Sequence, residues 1–336
     1  GYLAQLRPRS IILVLPDTAS FAQVPRLFKD VLNQVSLTFV GARAAPGLRI
    51  LLVSPEVGAK LLGTTLAGVD RYRQQVAKAR HAVPSTFRPG PATVQAPFKT
   101  ETLTTENVLG YLEGGDKKDE VLVVSAHYDH LGIKNGVVYN GADDDGSGTV
   151  SVLAMARAFA QAKKDGHGPR RSILFLANTG EEEGLLGSQY YTEHPVFPLK
   201  NTVTDLNIDM VGRTDKTHAG QGAYLYLVGD DKLSSELHQL SEATNQQYAP
   251  VALDYLYNSP ADPEHLYYRS DHYNFAKHRV PVIFYTSGLH TDYHESTDDV
   301  DKIDFAAMAR RDQLIFHTAW ALANRDRRVV VDSNKP

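Results

Sequence analysis

The sequence predicts an α/β protein in which helices cover both faces of a mostly parallel, mixed sheet, with a smaller α/β domain on the N-terminal side. Three observations support this. Short apolar runs alternate with helical patterns after residue 95. Hydrophobic residues make up 42% of the chain, enough for a full core. At about 150 residues per domain, a length of 336 residues indicates two domains.

The N-terminal part contains two apolar runs, residues 10–16 and 48–54, that predict buried strands. Residues 56–63 predict a short helix that ends at a glycine. A polar, basic stretch from 70 to 82 leads into residues 83–95, where three prolines and a glycine are typical of a linker. We therefore expect a first domain over residues 1–82, a linker over 83–95 and a larger domain over 96–329.

The larger domain contains five apolar runs of strand length. They are Val121–Ala126, Ser172–Ala177, Asp205–Asp209, Ala223–Val228 and Val282–Thr286. A helix is predicted over Thr149–Lys163, where Val152, Met155, Ala156 and Phe159 form one apolar face. A second helix is predicted from Phe305 to about Asn324. Strands that alternate with helices favour a parallel sheet.

Composition excludes several classes of protein. Lys and Arg total 35 against 39 for Asp and Glu, and without a basic run this argues against a nucleic-acid binder. The absence of cysteine excludes disulfides, thiolate metal sites and a cysteine nucleophile. No apolar run approaches the roughly 18 to 20 residues of a membrane span. No signal peptide is visible at Gly1, and an exported protein whose leader had been removed would look the same. We expect an exported protein, periplasmic or secreted.

Acidic and histidine side chains follow the predicted strands. They occur in His127-Tyr128-Asp129, Asn140–Gly148 (with Asp143-Asp144-Asp145), Gly180–Gly184 (with Glu181-Glu182-Glu183), Asp209 and Tyr293-His294. The carboxyl ends of parallel strands meet at one edge of a sheet, where function collects. Two imidazoles and several carboxylates at that edge make a nitrogen and oxygen metal site suited to zinc.

Each of these segments also has a structural interpretation. The Asp143–Asp145 run could cap a helix, but it does not begin a calcium loop, because residue 154 is Ala where a Glu is required. The three glutamates could be an exposed run, although apolar residues flank them. His290 and His294 could share a helix face, but a loop is predicted there and His294 is favoured. No G-x-S-x-G, phosphate-binding or H-E-x-x-H motif is found.

The order and spacing of these segments resemble the family of two-zinc aminopeptidases, which also includes glutamate carboxypeptidase and the glutaminyl cyclases. The matching motifs are His127-x-Asp129, Gly141–Gly148, Glu181–Ser188, Asn207–Met210 and Tyr293-His294. The resemblance covers about residues 95–325. The first 82 residues resemble part of a protease-associated domain, and residues 50–63 carry that resemblance.

The resemblance implies a role for each matching residue. His127 and Asp209 would bind one zinc ion, Glu182 and His294 the other, and Asp144 would bridge both. Asp129 would orient His127, Glu181 would be the general base, and Tyr293 would hydrogen-bond the scissile carbonyl oxygen. The Asp144–Asp145 peptide is typically cis in this family. Independently, a shared carboxylate and a neighbouring base suit hydrolysis by two zinc ions.

The sequence thus predicts a zinc-dependent exopeptidase that acts on peptides, most simply an aminopeptidase with two zinc ions per chain. A single-zinc acyltransferase of the glutaminyl cyclase type and a non-catalytic binding module on the same fold are the alternatives. The complete ligand set favours hydrolysis. The sequence assigns neither the preferred side chain nor the oligomeric state. The loop 252–270, with Tyr255, Tyr257, Tyr267 and Tyr268, would form either the substrate pocket or a packed lid.

Overall fold

The structure is a computed structural model that describes residues 10–29, 36–42, 49–81, 83–95 and 100–333. The chain divides into two compact units, Gly1–Leu103 and Thr104–Pro336. The predicted linker at 83–95 has no regular secondary structure and falls in the first unit. The predicted likeness of residues 1–82 to a protease-associated domain stays a prediction.

Among its described residues, the first unit contains a parallel strand pair and three helices. The elements are β1 (Ser10–Val14), α1 (Thr18–Leu27), β2 (Arg49–Val53), α2 (Pro55–Leu61) and α3 (Leu66–Ala79). The two strands and α2 lie where the sequence predicts them, but the prediction that the strands are buried is wrong, because Ile12 and Leu13 of β1 and Ile50 of β2 are exposed. Helix α3 was not predicted, because its polar, basic residues were interpreted as an approach to the linker. It buries Val69, begins at the cap Thr65 and ends at Arg80 in a left-handed conformation.

The second unit contains one large sheet, a short hairpin and five helices among the described residues. Its strands are β3 (Val108–Leu112), β4 (Lys117–His127), β5 (Gly132–Lys134), β6 (Val137–Tyr139), β7 (Arg171–Asn178), β8 (Thr202–Ile208), β9 (Tyr224–Val228), β10 (Ala252–Asp254) and β11 (Val282–Thr286). Its helices are α4 (Gly148–Lys164), α5 (Leu186–Glu193), α6 (Ser235–Tyr248), α7 (His272–Lys277) and α8 (Phe305–Asn324).

The seven-stranded sheet has the order β10-β9-β11-β8-β4-β7-β3. Strands β11, β8, β4 and β7 are mutually parallel and occupy its centre. Strand β9 runs antiparallel to β11, and the edge strand β3 runs antiparallel to β7. The sheet is therefore mixed but mostly parallel, as predicted.

Hydrophobic cores lie on both faces of this sheet, because alternate residues of a strand point to opposite sides. Leu122 and Val124 of β4 face a core that includes residues of α4, α6 and α8. Val121 and Val123 face a second core with residues of α5 and α7. This double-sided packing confirms the predicted fold class.

The agreement is closest for the most apolar elements, since β11 and α8 have the predicted ends. Strand β3 was not predicted, because a glycine interrupts its short apolar run, and as an edge strand it leaves four of its five residues exposed. Within the described ranges, no helix has both the length and the apolar character that crossing a membrane requires.

Candidate metal centre

Four parallel strands bring the predicted site residues to one edge of the sheet. His127 is the last residue of β4, Asp209 follows β8 directly, and Glu181 and Glu182 follow β7. His294 lies in the loop after β11. The carboxyl end of each of these strands therefore leads into a segment that carries a site residue, as the topology requires.

A first candidate metal position lies between His127, Asp144 and Asp209. The Nε2 atom of His127 is 3.2 Å from Oδ1 of Asp144 and 3.8 Å from Oδ1 of Asp209. His127 is buried, and its Nε2 has no hydrogen-bond partner. An unpartnered buried nitrogen beside two carboxylates fits a metal ligand.

A second candidate position lies between His294, Glu182 and Asp144. The Nε2 atom of His294 is 3.1 Å from Oε2 of Glu182 and 3.2 Å from Oδ2 of Asp144. The two oxygens of Asp144 thus face different histidines. This arrangement suits a carboxylate that bridges two ions.

The loop that carries Asp144 is held by buried hydrogen bonds. The Asp144–Asp145 peptide is cis, which confirms the expectation from the resemblance. The carboxylate of Asp298 accepts hydrogen bonds from the backbone N–H groups of Asp143 and Asp144, at 3.0 and 3.1 Å. The carboxylate of Asp145 accepts from the N–H groups of His127, Gly148 and Met210. The carboxylate of Asp145 is therefore bound to backbone N–H groups, although it lies close enough to His127 and Asp209 to share an ion with them.

Asp129 contacts His127 differently from the role that the resemblance implies. The backbone oxygen of Asp129 lies 3.0 Å from Nδ1 of His127, whereas its carboxylate is 3.7 Å away. That carboxylate instead accepts from the backbone N–H groups of Glu181 and Glu182, at 3.1 and 3.4 Å. Asp129 therefore fixes the tautomer of His127 through its backbone and holds the glutamate loop through its side chain.

Glu181 is beside the first position. Its Oε2 lies 4.0 Å from Nε2 of His127, and its side chain is 11% exposed. Burial raises the pKa of this carboxyl well above its usual value, and the nearby carboxylate of Asp209 raises it further. For Glu182 burial also raises the pKa, but contacts with His130 and His294 lower it below the ordinary value.

Tyr293 lies over the site with its ring stacked on that of His294, at a centroid distance of 3.9 Å. Its hydroxyl oxygen accepts a hydrogen bond of 3.0 Å from Arg269, so its own proton is free to donate. Burial raises the pKa of the phenol, which keeps it protonated at neutral pH. Neither Arg269 nor its contact was predicted.

A pocket of about 230 Å³ opens onto these groups. One part of its wall is polar, and the apolar part is formed by Leu185, Met210, Leu266, Phe284 and Leu289. The loop 252–270 contributes Leu266, Arg269 and Ser270 to the wall of this pocket. None of its four tyrosines lines the pocket. Tyr257 and Tyr267 pack against Val228, Leu266 and Phe284 instead, as in a packed lid.

Two further histidines lie near the predicted ligands. His290, which the sequence disfavoured, pairs with Asp143 at 3.2 Å and contacts neither candidate position. His130 was not predicted, yet its Nδ1 lies 2.8 Å from Oε1 of Glu182. The sequence feature that could have indicated His130 is its position three residues after His127, in the same loop.

Asp209 is held by a chain of buried side chains that the motifs did not reveal. Ser270 donates to Oδ2 of Asp209 at 2.7 Å, and Asn207 donates to Ser270 at 2.8 Å. Because Asn207 and Asp209 flank the end of β8, these hydrogen bonds orient the carboxylate of Asp209 from the sheet itself.

The donors present fit zinc. Nitrogen and oxygen atoms from His, Asp and Glu are its usual ligands in a site without cysteine. Among the described residues, buried atoms without hydrogen-bond partners include Nε2 of His127, Oδ2 of Asp144 and Oε1 of Glu182. Other buried atoms also lack partners, but these three lie at the two candidate positions, which is consistent with metal ligands.

Comparison with known proteins gives a consistent set of relatives. The sequence profile of peptidase family M28 matches residues 107–319. A probable leucine aminopeptidase of Arthroderma otae is 31% identical over 214 residues, which cover 62% of this chain and 55% of that protein. Aminopeptidase YwaD of Bacillus subtilis is 36% identical over 111 residues, 32% of this chain and 22% of the relative. This chain thus spans about half the length of the first relative and less of the second.

Solved structures agree at the level of the fold. An aminopeptidase from Aneurinibacillus sp. strain AM-1 superposes with a TM-score of 0.55 at 19% identity, covering 99% of this chain and 68% of the other. A zinc aminopeptidase from Bacillus subtilis gives a TM-score of 0.53 at 24% identity, covering 68% of this chain and 52% of the other. Both share the architecture described above.

Proposed function

The chain belongs to peptidase family M28, and from that membership we propose that it is a zinc-dependent exopeptidase, an aminopeptidase that removes residues from the N-termini of peptides. One observation carries this proposal. The two oxygens of Asp144 face two different histidines, and the carboxylate of Glu181 lies beside the first of them. The names of the Arthroderma and Bacillus relatives support the same activity.

Five residues would hold two zinc ions. His127 and Asp209 belong to the first position, Glu182 and His294 to the second, and Asp144 to both. When bound, zinc supplies Lewis-acid activation of water and of the scissile carbonyl group. The remaining groups of the site then need only to orient the substrate and move protons.

Glu181 is suited to proton transfer. Its buried carboxyl has a raised pKa, which brings its basicity closer to that needed near neutral pH. Its backbone is fixed by the bond to Asp129. Glu181 would accept the proton of the attacking water and deliver it to the departing amine, so that it ends each cycle ionised again.

Tyr293 would stabilise the oxygen on which negative charge develops. Its hydroxyl accepts from Arg269 and keeps its own proton for donation toward the pocket. The apolar wall beside it would receive an uncharged side chain of the substrate. We also propose that the protein is exported. We propose that its first unit is of the protease-associated type.

Two neighbouring substitutions test the proposal. Glu181→Gln removes the base and leaves every proposed ligand in place, so we expect two zinc ions and a kcat at least about 10²-fold lower. Glu182→Gln replaces a ligand by a poor one, so we expect zinc content to fall together with activity. Glu183→Gln is the matched control, since Glu183 lies in the same loop but is exposed.

Zinc content and kcat are measured on the three purified variants with amino-terminal peptide substrates. Loss of a zinc ion in Glu181→Gln with both retained in Glu182→Gln would reverse the two roles. Full activity of the metal-free chain would refute zinc catalysis altogether.

A further inference from the structure

His130 is a buried histidine that the proposed catalytic groups leave unexplained. Its side chain is 8% exposed, and it follows β4 in the loop that also carries His127 and Asp129. Neither of its ring nitrogens has a hydrogen-bond partner in the described structure. A buried imidazole with two unsatisfied nitrogens is costly unless something binds it.

The Nδ1 atom of His130 lies among the donors of the second position. It is 2.8 Å from Oε1 of Glu182 and 3.9 Å from Oδ2 of Asp144, and these three residues are close enough to share one ion. Both oxygens, like the nitrogen, lack a hydrogen-bond partner. The nitrogen of His130 is therefore near Oε1 of Glu182 without being aligned for a hydrogen bond to it.

One of the proposed ligands of the first position, His127, shares this feature. Nε2 of His127 lies 3.2 Å from Oδ1 of Asp144, and it too has no hydrogen-bond partner. Atoms that bind one ion point toward that ion and so point past each other. In a tetrahedral zinc site with bonds of about 2.0 Å, they are separated by about 3.3 Å. The separations at the second position, from 2.8 to 3.9 Å, lie around that value.

We propose that His130 is a further ligand of the second metal position, through Nδ1, alongside Asp144, Glu182 and His294. This inference rests on the two-zinc site of the proposed function and adds a residue to it. The second position is then enclosed by four protein residues, whereas His127, Asp144 and Asp209 leave the first with three. Zinc sites with four protein ligands are closed and those with three keep a coordination position open.

The difference assigns distinct tasks to the two ions. The closed second position would bind its ion tightly and anchor Asp144. The open first position, beside Glu181, would be the one that exchanges water and substrate. The second ion should therefore be the last that a chelator removes.

X-ray absorption of the full chain, reloaded with two equivalents of zinc, counts the imidazoles directly. Three histidines shared by two ions give about 1.5 imidazoles per zinc, whereas two histidines give about one. The His130→Ala variant should bind its second zinc ion about 100-fold or more weakly, beyond the usual effect of an outer hydrogen-bond partner. Its first ion should bind as in the parent chain, and His194→Ala, which removes an exposed histidine, should change neither affinity.

The outcomes separate this inference from the proposed function. A value of about one imidazole per zinc in the parent chain overturns the role of His130, and so does an unchanged second affinity in the variant. If His130→Ala does not fold, the X-ray absorption spectrum of the parent chain still shows whether His130 binds zinc. Two tightly held ions without peptidase activity would refute the proposed function alone, and a chain that binds no zinc would refute both.

Discussion

Gly148 provides a test of how the helix α4 is joined to the site. A Cβ atom at this position would lie 2.1 Å from the backbone oxygen of Ile208 and 2.4 Å from a carboxylate oxygen of Asp145. Neither can move easily, because Ile208 is the last residue of β8 and Asp145 is held by three backbone N–H groups. We therefore expect Gly148→Ala to destabilise the fold despite the better helix propensity of alanine.

The expected change in the free energy of unfolding of Gly148→Ala is the sum of one favourable and two unfavourable contributions. Alanine favours a helix over glycine by about 1 kcal/mol. Overpacking costs about 1–3 kcal/mol, and the disturbed buried hydrogen bonds of Asp145 cost about 1–3 kcal/mol. The net loss in the free energy of unfolding should be about 1–5 kcal/mol. Since Asp209 follows Ile208, zinc binding at the first position should weaken as well.

Urea unfolding followed by the fluorescence of Trp320 measures this effect. Trp320 is the only tryptophan of the chain, and its ring stacks on buried Phe159 at 5.6 Å. The matched control is Gly115→Ala, where the new Cβ would come no closer than 3.8 Å to its neighbours. It should be neutral or stabilising by up to about 1 kcal/mol. Equal unfolding midpoints for the two variants would refute the close-packing argument.

Three other predictions concern the metal, the phenol and the pH dependence. Removal of metal by a chelator should abolish peptidase activity and lower the melting temperature, and zinc should restore both; activity that survives chelation would contradict this. Tyr293→Phe should lower kcat by about 10- to 10³-fold with little change in KM, as measured by steady-state kinetics, and an unchanged kcat would remove Tyr293 from the site. The hydrogen bond to Asp230 raises the pKa of His238. Its stabilising contribution is therefore complete below about pH 6.5 and is lost as the pH rises through the raised pKa. His238→Gln should flatten the dependence of the unfolding free energy on pH above about pH 6.5, and a slope equal to that of the parent chain would argue against this pair.

The residues best predicted from sequence are those fixed by sheet geometry. His127, Glu182 and Asp209 each follow a strongly apolar strand, and parallel strands bring their carboxyl ends to one edge. Apolar periodicity locates such strands, so the fold and the place of these residues at one sheet edge could be predicted, while their roles as ligands stay a prediction. The pairing of ligands to each ion came from the resemblance, since spacing does not assign it.

The residues that were missed depend on contacts between distant parts of the chain. Asp298 supports Asp144 from 154 residues away, and nothing near it in the sequence indicates that contact. The backbone of Asp129, rather than its carboxylate, contacts His127, a distinction that no side-chain pattern contains. Helix α3 was missed because charged and polar residues separate its apolar stripe of Val69, Tyr72 and Val76, and strand β3 was missed because Gly110 interrupts its short apolar run.

The central position of β8 and β11 in the sheet has a consequence for the biosynthesis of the protein. The ribosome releases His127 and Asp144 early, but His294 emerges only after β11, which must then pair with β8 before the ligands converge. A growing chain therefore offers scattered donors rather than two assembled metal positions. The proposed function then places zinc loading after translation, because a chain interrupted before β11 would leave the ribosome without His294.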